Sequence, residues 1–377
     1  MGQPWACLRA LILWMVIEMA TRRRFLAGLA VSGLIPTTGW ADVGAPAFLS
    51  AAGGSDGTYC LVGLTDRGEP VFQIPLPARG HAAAAHPNRA EAVAFARRPG
   101  RFAIVLDCAT GSVLARLDAP KGRHFYGHGA FSADGLLLFT TENAYDAARG
   151  VVGIWDTRTY RRQGEFPSGG IGPHDIRLMP DGETLVVANG GIETHPDSGR
   201  AKLNLPLMQP NLTYLSAEGE VLEQAELAPE MHMNSIRHLD VRADGLVGFA
   251  TQWQGSTADS PSVVGLHRRG EAPELLSATL TQARAMDGYG GSVAFYEGGT
   301  RIAVSSPRGG LVQLGDVGAR VVDSQLNMPD VCGLGVSDGA LRASTGTGAF
   351  WAATATPTIL TQQPVAWDNH LVRVSRG

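Results

Sequence analysis

The stretch GGIGPHDIRLMPDGETLVVANGG, residues 169–191, reads as two short strands around a tight turn. Asp181-Gly182 supplies the left-handed backbone that joins two apolar runs in a hairpin. His174 stands at its entrance and Asn189-Gly190-Gly191 at its exit. The same pattern recurs in AAAAHPNRAEAVAFA, GAFSADGLLLFTTEN, LDVRADGLVGFATQ, SVAFYEGGTRIAVSSP and GLGVSDGALRASTG. The turn anchors are Asn88, Asp134, Asp181, Asp244, Gly298 and Asp338, at steps of 46, 47, 63, 54 and 40 residues. A third run such as Val151–Asp156 and a fourth such as Arg161–Phe166 follow most hairpins.

Four antiparallel strands per repeat, six times over, without a helical period, predict an all-β fold, a β-propeller. A seventh blade is expected from the two ends. AFLSAA, TYCLVGL and PVFQIPL, between Ala47 and Leu76, match a second, third and fourth strand, and WDNHLVRV (Trp367–Val374) matches the missing first one. Pairing the C-terminal strand with the N-terminal blade closes the ring and leaves no open edge there. A pair of β-sandwiches explains neither the regular anchors nor the complementary ends.

The composition agrees. The chain has 377 residues and 48 glycines, nearly twice the usual share, as many short strands and turns require. Net charge is −4, and about −7 without residues 1–41, which argues against nucleic acid or an anionic membrane as partner. TRRRFLAG (Thr21–Gly28), the apolar run to Ile35 and the small residues Gly39 and Ala41 follow the order of a secretory signal of twin-arginine type. Eleven apolar residues fall short of the roughly 20 that span a bilayer. The expectation is a signal segment over 1–41, with 1–18 an upstream misassigned start, and one propeller domain over 42–377. The mature protein is then periplasmic, monomeric and without a membrane span. Cys60, Cys108 and Cys332 remain in it, at no metal or redox spacing, and read as buried small hydrophobes.

In a propeller the first strand of each blade lines the central channel. His81, His128, His174 and His238 lie 7, 6, 7 and 6 residues before their turn anchors, and His370 holds the corresponding place in the closing strand. Five of seven channel strands therefore begin near a histidine, in a chain with only ten. The sixth has Cys332 at this offset, and the remaining one starts at Tyr289-Gly290. Imidazoles at one level suit a transition metal or acid–base chemistry. The alternative is that each ring hydrogen-bonds a neighbouring blade, and offsets of both 6 and 7 raise the question of register, since a one-residue slip turns a side chain to the other face. Glu142 and Asn189, at second-strand ends, are expected beside the ring as supporting ligands or acceptors. The long connection GIETHPDSGRAKLNLPLMQPN brings His195 and Arg200 to the same mouth, with Leu203, Leu205 and Leu207 expected to pack. Two G-x-S-x-G matches, Gly53–Gly57 and Gly335–Gly339, fall between strands and read as turns rather than nucleophile elbows.

Taken together, the twin-arginine segment, GHGAFSADG, GGIGPHDIRLMPDG, VANGGIETHPDSGRAKLNL, SIRHLDV and WDNHLVRV resemble an uncharacterised family of exported bacterial propellers, similar in form to YVTN and quinoprotein-like propellers. Members of that family tend to be encoded beside imelysin-like iron-uptake proteins and a dihaem oxidoreductase. The resemblance implies a periplasmic role in iron or other metal handling, with iron-uptake or redox proteins as partners, and carries over no catalytic residue. The expected function is binding of a metal ion, metal complex or metal-carrying partner, with His128, His174 and His238 foremost and His81 and His370 next. A lactonase-like hydrolase using the same histidines and a protein-docking scaffold are the two alternatives.

Overall fold

A computed structural model describes residues 38–97 and 100–374. The twin-arginine stretch, Cys7 and residues 1–18 lie outside the described residues. Seven antiparallel sheets follow one another, and each has four strand positions from the channel outward. The innermost strands of blades 2 to 7 are Gly80–Ala85, Arg123–Phe131, Pro173–Leu178, Asn234–Val241, Ser292–Tyr296 and Val331–Ser337. Blade 1 combines Phe48–Gly54, Tyr59–Leu64 and Pro70–Leu76 with two C-terminal pieces, Val365–Trp367 and Val372–Arg373. Ala52 pairs Trp367 and Leu49 pairs Val372, so the ends of the chain close the ring as the repeat pattern predicts.

Burial along each blade follows its place in the ring. The second strand of blade 4, Thr184–Asn189, is buried at every position because neighbouring blades cover both its faces. The outermost strand of blade 3, Arg161–Pro167, keeps one covered face and alternates with solvent, as RRQGEFP requires. The core accordingly lies between blades. Phe95 of blade 2 meets Phe125 of blade 3 with ring centroids 6.0 Å apart, both fully buried, and each such side chain contributes about 1.5–3 kcal/mol. Trp40 joins this packing: it is buried, and its indole N–H donates to the His86 carbonyl at 2.8 Å.

The Asp-Gly turns form one face of the ring. In blade 7 both Asp338 (φ 49°) and Gly339 (φ 76°) adopt left-handed backbone, the geometry that matches strand twist in a two-residue hairpin. Connections between second and third strands form the opposite face. Among the described residues no helix is long and apolar enough to cross a membrane.

Candidate metal centre

The innermost strands are irregular at one level, and the histidines sit there. The pairing register shifts between Gly80 and Ala83, Phe125 and Gly129, Pro173 and Asp175, and Ile236 and His238. Blade 7 shifts between Val331 and Leu334, and the closing strand of blade 1 is interrupted between Trp367 and Val372. These are β-bulges, which add residues to one strand and re-aim its side chains. Blades 2, 4, 5 and 7 gain one residue, and blades 1 and 3 gain two. Blade 6 pairs evenly from Ser292 to Tyr296. Bulging resolves the conflict between offsets of 6 and 7: His81 and His174, at offset 7, lie within their bulges, whereas His238, at offset 6, is the first paired residue after its own.

A bulge frees backbone groups that must find other partners. Hydroxyls on second strands supply them. Thr141 donates to the His128 carbonyl at 3.2 Å, Ser50 to that of His370 at 3.0 Å, and Ser305 to that of Cys332 at 2.7 Å.

All five histidines converge in the channel. Ring centroids are 5.2 Å apart for His81–His128, 5.1 Å for His128–His174, 4.7 Å for His174–His238, 5.0 Å for His238–His370 and 4.8 Å for His370–His81. His128 also lies 4.7 Å from His370. Two trios share His128: His81, His128 and His370, and His128, His174 and His238. In each, one donor atom per residue lies within 4.8 Å of the others. Three ligands about 2.1 Å from one ion stand about 3.4–3.6 Å from one another, so side-chain shifts of up to about 0.7 Å gather either trio on one ion. Four buried ring nitrogens, Nδ1 of His174 and His238 and Nε2 of His128 and His370, have no hydrogen-bond partner, and His81 Nδ1 faces Asp368 at 3.7 Å. Burial, foremost, depresses the imidazoles of His81, His174, His238 and His370 below the ordinary value, and neighbouring positive charge adds to the effect. They are neutral, as metal ligands must be.

Two buried aspartates anchor the cluster. Asp175 Oδ1 lies 3.1 Å from His128 Nδ1, and its Oδ2 accepts from the Leu239 N–H at 3.0 Å and meets Arg177 at 3.3 Å. One carboxylate from blade 4 thus ties blades 3 and 5 together and orients the shared histidine. Burial pushes the Asp175 carboxyl up, but Arg177 and then His128 outweigh it and hold the group well below the usual carboxylate range. Asp368 plays the matching part for His81 Nδ1, at 3.7 Å, while Arg79 and Arg97 hold it at 2.9 and 3.1 Å. Burial raises the Asp368 carboxyl too, yet His81 and Arg97 bring it down to about 2. Carboxylate–histidine–metal relays of this form fix ring orientation and raise ligand basicity. Sequence reading missed both aspartates, although they flank histidines in PHDIR and WDNH.

Other expected site residues lie elsewhere. Glu142 is fully buried on the face of its own blade and ion-paired to Arg162 at 2.6 Å, with Arg123 at 3.5 Å, so it cannot serve the ring. Asn189 is likewise corrected. Its Nδ2 donates to the Ser168 carbonyl and to Asn211 Oδ1, both at 2.9 Å, and its Oδ1 accepts from the Ser168 hydroxyl at 2.7 Å. His195 caps the short turn Pro196–Ser198 and reaches Asp146 at 3.1 Å, pinning the long connection to blade 3. Arg200 is exposed on that connection. Leu203 and Leu207 are also exposed there, and Ile192 and Met208 pack instead. Cys60, Cys108 and Cys332 are free and buried. Burial, foremost, pushes the Cys108 and Cys332 thiols up to about 12.

A cavity of about 380 Å³ opens on the face of the Asp-Gly turns and reaches His128 and His370. Its walls come mainly from blades 5, 6, 7 and 1, where Ser292, Ala294 and Gly335 leave room.

The fold and its channel define a seven-bladed propeller with a central polyhistidine cluster. Residues 74–374 match the family described as "Protein of unknown function (DUF1513)", and the chain belongs to that family. No curated protein matches the chain. Among solved structures it is similar to Kuenenia stuttgartiensis hydrazine synthase, at TM-score 0.54 and 14% identity over 81% of this chain and 89% of that one. That likeness concerns the fold.

Proposed function

We propose that this chain is an exported, periplasmic metal-binding propeller, accessory to the uptake or handling of iron or another transition metal. The carrying observation is the convergence of five histidines at one level of the channel, four of them with a buried imidazole nitrogen that has no partner. A buried polar atom without a partner costs about 1–3 kcal/mol, and a bound cation removes that cost at each nitrogen it ligates. The ligand type suits Fe, Zn, Cu or Ni rather than Mg or Ca. The twin-arginine segment supports export after folding, when the cluster already exists.

The test is direct. The purified full-length chain is supplied with Fe(II), Zn(II), Cu(II), Ni(II) and Co(II), and bound metal is measured by mass spectrometry. About one ion per chain is expected, with loss in His128→Ala and His174→Ala. Absence of stoichiometric metal, or retention in both variants, overturns the reading. A second reading, a metal-dependent hydrolase acting on a small ester or lactone, is favoured by the cavity that reaches His128 and His370. Turnover that disappears with the metal distinguishes it from simple binding.

A further inference from the structure

The charges around the cluster do not balance once a cation is bound. The two aspartates beside the cluster already face arginines: Arg177 on Asp175, and Arg79 and Arg97 on Asp368. A divalent or trivalent ion here adds buried positive charge, a costly arrangement, and the remaining carboxylate near the cluster, Asp240, is turned to the Val241 and Phe295 N–H groups.

More positive charge stands on the side opposite the cavity. Arg237 lies in the blade 5 bulge, immediately before His238. A side chain at Gly190 would touch its guanidinium at 3.4 Å, which places Arg237 against the upper end of blade 4. Its charge presses on both His174 and His238, behind burial. Lys202, from the long blade 4 connection, reaches across to Gln254 Oε1 at 2.5 Å. Gln254 donates to the Gln252 carbonyl at 2.6 Å, Gln252 bridges to Tyr289, and Arg308 lies over the Tyr289 ring at 4.7 Å. Burial and then the charges of Arg237 and Arg308 hold the Lys202 ammonium below its ordinary value. Among the described residues neither Lys202 nor Arg308 forms an ion pair with a carboxylate. Three cations from three blades therefore share one rim, and Arg237, next to His238 in the chain, is the one nearest the cluster.

We propose that the metal is held together with a small anionic co-ligand of the carboxylate or oxyanion class, seated over the histidine cluster and met on its outer side by Arg237, Lys202 and Arg308. The inference rests on the metal reading above. It assigns a role to the long connection: Lys202 is its contribution to the anion.

The test uses the full-length chain loaded with Co(II), whose visible spectrum reports changes in its ligands. Citrate and inorganic phosphate are titrated in turn, with sodium chloride as the ionic-strength control. A saturable spectral change at about one equivalent is expected with at least one of them, and which one responds separates the carboxylate from the oxyanion. In the double variant Lys202→Gln/Arg308→Gln the apparent Kd should rise at least tenfold while Co(II) content stays the same. Both residues are exposed, so the fold tolerates the change. Arg237→Gln should weaken the anion further. Full Co(II) loading with a spectrum indifferent to both anions, or affinity unchanged in the variants, overturns this proposal alone. Failure to bind any metal of the panel is seen before an anion is added, and overturns the metal reading and this proposal together.

Discussion

Buried histidines occur in two kinds of place in this molecule, and their nitrogens are treated differently. His86 and His267 lie away from the channel with both nitrogens engaged. His86 Nδ1 accepts from the Asn88 and Arg89 N–H groups at 3.1 and 3.0 Å, and Nε2 lies 3.0 Å from the Gly135 carbonyl. His267 lies 2.7 Å from the Tyr214 hydroxyl and 2.9 Å from the Glu271 carbonyl. These rings are structural braces. Four of the five channel histidines leave one buried nitrogen unused, and the fifth, His81, turns its own to Asp368 at 3.7 Å. The bulges do not explain their presence, because blade 7 forms the same bulge with Cys332-Gly333. The propeller therefore supplies the display device, and histidine is the cargo that blades 1 to 5 place on it.

The difference is broken most severely at His128, which both trios share. His128→Ala should lower metal affinity by more than about 100-fold, since it removes a ligand common to both trios and strands Asp175; equilibrium dialysis against a chelator measures it. Acid is the next lever. His81, His174, His238 and His370 bind protons less readily folded than unfolded. The unfolded chain thus holds the extra protons below about pH 6.5, and the metal-free fold loses stability as pH falls through that window, by about 1.4 kcal/mol per unit for each histidine kept neutral. Urea melts at pH 7.5, 6.5 and 5.5 should follow that direction, and bound metal should flatten the dependence.

Smaller effects sharpen the contrast. Asp175→Asn keeps the shape but loses the charge that orients His128, and should cost roughly 10–100-fold in metal affinity with secondary structure intact by circular dichroism. His267→Phe removes a brace and leaves the Tyr214 hydroxyl buried. It should lower stability by about 1–3 kcal/mol and leave metal content untouched; loss of metal there would erase the distinction between the two sets.

Much of this architecture was legible in the chain. Asp134-Gly135, Asp181-Gly182 and Asp244-Gly245 mark turns because their backbone demands are local, and Trp367–Val374 is recognisable as a missing strand because the repeat leaves one place empty. The level of the histidines was legible for the same reason. Their direction was not, since a bulge depends on how two strands pair and no residue type in these segments announces it. Glu142 and Asn189 misled for a related reason. Residues at second-strand ends alternate between faces, and these two turn to Arg162 and to the Ser168–Asn211 network. Asp175 was passed over because its partner lies on the preceding blade, 47 residues back.

The split closing strand gives the cluster a history as well as a shape. His128, His174 and His238 come from consecutive blades in the middle of the chain, whereas His370 and the Asp368 that faces His81 arrive only when the closing strand docks against Phe48–Gly54. The second trio is consequently complete only when the ring is closed. A chain clipped before Trp367 keeps four of the imidazoles but loses the fifth, together with the carboxylate that faces His81.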